Sequence, residues 1–140
     1  MKPEFNKLWA NYPSEQHPCD GPWANQCAIR MSVALNGEGT VVISKKTYKE
    51  PTCAHGHARG AESLANFLWK KLGRPTIYTD AAKAKRAIQA KNGIVFFKDC
   101  FQRPGEEAVR GDYIDVWMLG VAKTYSDGSN LSKQVWFWPL

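Results

Sequence analysis

The chain has 140 residues, of which 44% are hydrophobic and 23% charged, enough for one globular domain that buries roughly two-thirds of its unfolded surface without disulfides or metals. No run approaches the ~20 consecutive apolar residues of a membrane span, which excludes membrane insertion, and 12% aromatic residues, six of them Trp, exclude a solvated disordered chain. Nineteen Lys and Arg against thirteen Asp and Glu leave a net charge of +6. That excess suits an acidic partner or a polyanion. The cations are spread along the chain, so a solvated surface is the simpler reading and nucleic acid is not an expected partner.

Residues 1–24 read as irregular, punctuated by Tyr12-Pro13, His17-Pro18 and Gly21-Pro22. Residues 25–35 read as a helix capped by Asn25 and stopped at Asn36-Gly37; its apolar residues run nearly all the way round, which marks a buried central helix. Residues 40–48 suit a strand and then a basic loop. Ala61, Leu64, Ala65, Leu68 and Leu72 follow a helical rhythm that Gly73-Arg74-Pro75 ends. Asp80 caps a third helix expected to run to Lys91. The pattern then switches to strands: Ile94-Val95-Phe96-Phe97, then residues 112–118, then residues 134–138. In the second of these, Ile114, Val116 and Met118 share one face, and Tyr113, Asp115 and Trp117 the other. Helices first and strands second predict one α+β domain over 1–140.

Cys27 stands in the first turn of the central helix, where the helix dipole favours a thiolate. A nucleophilic Cys needs a base within reach and a third group to orient that base. Asp115, beside Tyr113 on a strand, is the candidate third group. His55 and His57, in a Gly-containing loop, are candidate bases, although two surface histidines are the simpler reading. His17 reads as surface. Trp136 and Trp138 share a strand face, with core packing favoured over a binding cleft. The four cysteines, Cys19, Cys27, Cys53 and Cys100, show no zinc spacing. No phosphate loop follows a strand. No metal and no cofactor are expected.

Five segments carry a resemblance. Asn25-Gln26-Cys27-Ala28-Ile29-Arg30-Met31-Ser32, Ala58-Arg59-Gly60-Ala61-Glu62-Ser63-Leu64, Gly93-Ile94-Val95-Phe96-Phe97-Lys98-Asp99, Gly111-Asp112-Tyr113-Ile114-Asp115-Val116-Trp117 and Val135-Trp136-Phe137-Trp138 resemble, in order and spacing, the fourth group of type VI secretion amidase effectors. The resemblance covers nearly the whole chain from Tyr12. It implies a papain-like (NlpC-like) fold, with the nucleophile helix packed on an antiparallel sheet. The activity it implies is cleavage of peptidoglycan stem peptides between D-glutamate and meso-diaminopimelate. It also implies the secretion machinery and a cognate immunity protein as partners, the latter expected to present an acidic face to this basic chain.

By the same resemblance Cys27 is the nucleophile and Tyr113 stands where the family has its catalytic His. The third catalytic group is Asp115 or, with a small shift, Asp127. Tyr is a poor base, with a pKa near ~10. The alternative to an amidase is therefore a non-catalytic relative that binds peptidoglycan or an immunity protein. The start of the chain lacks an apolar signal segment, so synthesis in the cytoplasm is expected, and the resemblance implies action in a rival cell's periplasm. In that oxidising space two of Cys19, Cys53 and Cys100 could be bridged while Cys27 stays free.

Overall fold

Pro3 fixes an extended entry and Tyr12-Pro13 a stop. Between them Phe5, Leu8, Trp9 and Tyr12 recur at i, i+3, i+4 and i+7, and the chain forms a short helix, α1 (Phe5–Asn11), that buries Phe5 and Leu8. The expectation of an irregular N-terminal stretch is corrected there. The structure, a computed structural model, describes residues 2–15, 18–19, 26–101, 111–124 and 132–140.

Helix α2 (Cys27–Glu38) is buried nearly all round, as its composition requires. Gln26, rather than Asn25, occupies the cap position, and Asn25 lies outside the described residues. The helix passes Asn36-Gly37 and stops at Gly39, whose φ of 95° is a left-handed conformation that glycine adopts at little cost. Gly37 is needed for another reason: a Cβ there would collide with Asn11 where α1 crosses α2.

Residues 40–48 are turns and bends, not the expected strand. Side chains take the backbone partners that a strand would need. Asn36 accepts from Ile43 N–H at 2.7 Å and donates to its carbonyl at 3.0 Å. Thr47 Oγ1 donates to the Val42 carbonyl at 2.7 Å. Local bonds of this kind compete directly with a ladder.

Helix α3 (Ala61–Leu72) follows its predicted rhythm and ends at Gly73. A short strand, β1 (Thr76–Tyr78), not expected from sequence, leads into α4 (Ala81–Ile88). Asp80 caps α4 by accepting from Lys83 N–H at 3.1 Å, but the helix closes at Ile88 instead of Lys91. Strands β2 (Asn92–Phe101), β3 (Gly111–Met118), β4 (Val121–Ala122) and β5 (Gln134–Pro139) complete an antiparallel sheet in the order β1-β5-β2-β3-β4. The two-residue β4 is also new.

The pairing puts Phe97 opposite Tyr113, Val95 opposite Asp115 and Ile94 opposite Val116, so the predicted alternation of β3 holds. Both faces of β3 are covered. On one, Phe96 and Trp136 pack together and Trp69 of α3 meets Trp136 edge-on at 5.3 Å. On the other, Trp117 Nε1 donates to the last carbonyl of α4, Ile88, at 2.9 Å. Trp136 and Trp138 are 7% and 3% exposed, core residues as expected. Among the described residues, four helices on a five-stranded antiparallel sheet make the α+β fold foreseen. Among the described residues, no helix is long and apolar enough to cross a membrane.

Candidate active site

On β3 the outward-facing backbone groups belong to the even-numbered residues. Val116 gives its carbonyl to Lys123 N–H at 3.2 Å. Two residues earlier, Ile114 lies beyond the reach of β4, and two side chains take over. Ile114 N–H donates to Cys27 Sγ at 3.4 Å, and its carbonyl accepts from Tyr12 OH at 3.3 Å. The N-terminus of α2 and the end of α1 thus close the open edge of β3, because exposed edge groups need partners once buried.

Arg30 follows one turn after Cys27 and is 1% exposed. Its Nη2 donates to Tyr113 OH, and the guanidinium carbon lies 5.7 Å from the Tyr113 ring centroid. A short polar chain continues from there. Tyr113 OH is 3.1 Å from Thr124 Oγ1, which donates to Asp115 Oδ2 at 2.8 Å; Thr124 N–H donates to the same oxygen at 2.9 Å. Val116 N–H binds the other carboxylate oxygen at 2.7 Å.

These bonds fix the direction of the protons. A hydroxyl has one hydrogen. Thr124 spends its own on Asp115, so the Tyr113 hydroxyl must donate to Thr124 and receive from Arg30. Tyr113 is therefore held as a donor toward Asp115, oriented away from the role of base.

Electrostatics agree. Burial pushes the Cys27 thiol up to about 12, outweighing the Ile114 N–H and the Arg30 charge that pull it down. Burial thus works against the thiolate that the start of a helix would favour. Burial also pushes the Tyr113 phenol up to about 12, against the Arg30 charge that pulls it down. At neutral pH both groups carry their protons.

The structure brings Cys27, Tyr113 and Asp115 to one region. Tyr113 and Asp115 share a sheet face, and Ile114 between them touches Cys27. Asp127 and His17 lie outside the described residues. His55 and His57 are elsewhere, with contacts to Cys19 and Cys53 respectively. None of the four cysteines is in a disulfide, and Cys100 belongs to the main core while Cys19 and Cys53 share a separate cluster with Ile29. Of the three cysteines considered for a bridge, only Cys19 and Cys53 meet. Linear spacing did not reveal that Cys19, Cys53 and His55 converge, with ligand atoms within 4.8 Å of one another.

Sequence reasoning also missed Tyr12, Arg30 and Thr124. For Arg30 there was a signal: a lone cation three residues after Cys27 in an otherwise apolar helix must be paired if the helix is buried. Thr124 left none, since it lies in a loop and its role depends on where β4 turns.

Among curated proteins, no relative matches the chain. Among solved structures, the Tae4–Tai4 effector–immunity complex from Enterobacter cloacae contains a chain 22% identical, with a TM-score of 0.73, covering 100% of this chain and 99% of that one. Tae4 from Enterobacter cloacae is 20% identical, with a TM-score of 0.74 and coverage of 100% and 98%. The Tae4–Tai4 complex from Salmonella Typhimurium gives 19%, 0.73, 100% and 99%. At these identities the likeness is one of fold. The sequence itself carries the assignment: the model of the family Tae4, type VI secretion system (T6SS) amidase effector protein 4, matches residues 23–138, and the chain belongs to that family.

Proposed function

We propose that residues 1–140 form a papain-like cysteine amidase that cuts peptidoglycan stem peptides between D-glutamate and meso-diaminopimelate. In this reading Cys27 is the nucleophile, and Tyr113 keeps the chain in an attenuated form. The observation that carries it is the position of Cys27, at the first residue of α2 and touching β3 between Tyr113 and Asp115.

The chemistry runs as follows. Cys27 loses its proton and its sulfur attacks the amide carbon. The tetrahedral intermediate collapses, the amine leaves with a proton, and a thioester remains. Water then attacks the thioester, releasing the carboxylate and restoring the thiol. Each half needs a group that takes a proton and returns it. An imidazole at position 113 would sit on the Asp115 face of β3, where Asp115 and Thr124 can orient it. The phenol of Tyr113, protonated and donating to Thr124, takes no proton from Cys27 at neutral pH. The same observation favours a second reading, a non-catalytic relative that holds stem peptides without cutting them.

The family match and the crystallised effector–immunity pairs support delivery by a type VI apparatus into a rival's periplasm. They also support a cognate immunity protein for this chain, which its +6 charge fits to an acidic face.

Incubation with purified Gram-negative sacculi, followed by analysis of the released peptides, tests the proposal. The Tyr113→His variant should release D-glutamate-terminated fragments that Cys27→Ala does not. Saturable binding by all variants with no cleavage by any would favour the second reading.

A further inference from the structure

The loop after residue 52 is built to converge. Thr52 pairs with Ala58, Cys53 N–H donates to the His57 carbonyl at 2.8 Å, and Gly56 N–H donates to the Cys53 carbonyl at 3.0 Å. Gly56 turns with a φ of 82°, a conformation in which most other residues are strained. The closed turn thus presents Cys53, His55 and His57 within five residues. Cys19, 34 residues before Cys53 in the chain, is brought to the same spot. Its Sγ lies 3.5 Å from His55 Nδ1, and Cys53 Sγ lies 3.7 Å from His57 Nδ1. The ligand atoms of Cys19, Cys53 and His55 all fall within 4.8 Å of one another, and both cysteines are buried.

These separations have a meaning for a metal. With zinc–sulfur and zinc–nitrogen distances of ~2.3 and ~2.1 Å, a tetrahedral ion sets neighbouring sulfur and nitrogen ligands about 3.6 Å apart. Both sulfur–nitrogen distances match that edge. Two thiols and an imidazole are also the donor types that borderline-soft zinc prefers.

We propose that Cys19, Cys53 and His55 hold a structural zinc ion, with His57 or a water in the fourth position. The ion would anchor the segment that leads into the nucleophile helix. Gln26, the residue before Cys27, clasps the Cys19 backbone with both ends of its amide: Oε1 accepts from Cys19 N–H at 3.0 Å, and Nε2 donates to the Cys19 carbonyl at 2.9 Å. Fixing Cys19 to the 53–57 turn therefore fixes Gln26, and through it the start of α2. This site is independent of the amidase reading, and its test does not use activity.

The test uses the full chain, reduced, stripped of metal and titrated with cobalt(II) and then zinc. One cobalt should bind per chain with a thiolate-to-metal charge-transfer band and the intense visible bands of a tetrahedral ion, and zinc should displace it. Zinc should raise the thermal midpoint by several degrees through binding the folded state. Cys19→Ser or Cys53→Ser should weaken binding at least a hundredfold, while Cys100→Ser should leave it unchanged. Should the serine variants fail to fold, alkylation of the unaltered chain decides: bound zinc should protect Cys19 and Cys53. Three results would overturn the site. These are no charge-transfer band at micromolar cobalt, protection that maps to other cysteines, or a Cys19–Cys53 disulfide in protein isolated without reductant that excludes the metal.

Discussion

The two faces of the sheet are stabilised in different ways. Under α3, Phe96, Trp69 and Trp136 meet edge-on in a dry aromatic stack. There the free energy comes from apolar area and dispersion, which any side chain of similar shape supplies in part. Beside α2, Arg30, Tyr113, Thr124 and Asp115 form a continuous hydrogen-bonded chain, with Asp115 itself 0% exposed. There each group is stabilised only by its particular neighbour. The first region fixes how stable the protein is, and the second fixes which way its protons point.

Substitutions should separate the two. Trp136→Ala removes the centre of the aromatic stack and should cost about 3–5 kcal/mol in urea unfolding, with no change in the reactivity of Cys27 once allowance is made for the unfolded fraction. Asp115→Ala leaves Thr124 N–H and Val116 N–H without their carboxylate acceptor. It should cost roughly 1–3 kcal/mol and should release Tyr113 from its donor role. Equal effects of both variants on the alkylation rate of Cys27 would erase the distinction.

Alkali should act on the α2 side. The Cys27 thiol rises from 9.0 to about 12 in the folded chain, so folding favours its protonated form. That contribution is intact below pH 9 and is lost as pH rises from 9 toward 12, because the unfolded chain ionises first. The slope should reach about 1.4 kcal/mol per pH unit for this group. Cys27→Ala should flatten the loss of stability between pH 9 and 11, and an unchanged slope would count against a buried, protonated thiol.

The smallest effect concerns Asp112, next to Tyr113 but on the opposite face of β3. Burial, followed by Glu62 and Asp99 and opposed by the Asp99 N–H, raises it from 3.8 to about 6. Its carboxyl therefore favours folding below pH 4 and loses that contribution as pH rises through 6. Asp112→Asn keeps an acceptor for Asp99 N–H, which donates to Asp112 Oδ1 at 2.8 Å. The variant should gain a degree or so in thermal midpoint at pH 7.5 and nothing at pH 4.

How far the sequence could be read follows from the range of the interactions. The β3 alternation was legible because period 2 is local and both of its faces found partners. The α3 rhythm and its Gly73 stop were legible for the same reason. Residues 40–48 were not, since an Asn36 side chain from the preceding helix decides their backbone bonding. Helix α1 was overlooked although its i, i+3, i+4, i+7 spacing was present; Tyr12-Pro13 read as punctuation of an irregular stretch when it is the helix boundary. In the site, Cys27, Tyr113 and Asp115 stood out through the resemblance. The Tyr113–Thr124–Asp115 proton order and the dryness of Cys27 depend on tertiary burial, which no local pattern encodes. The meeting of Cys19 with Cys53 and His55 is of that kind as well.

The central claim is that Tyr113, donating to Thr124 and unable to accept a proton from Cys27, is what limits this chain. It is tested most directly by the rate of stem-peptide cleavage from sacculi at pH 7.5 for the unaltered chain, Tyr113→His and Tyr113→His with Cys27→Ala. General acid–base help is worth ~100- to 10,000-fold, so the single variant should exceed the unaltered chain by a factor in that range, and the double variant should fall back to background. Efficient cleavage by the unaltered chain, with little change in Tyr113→His, would contradict the claim.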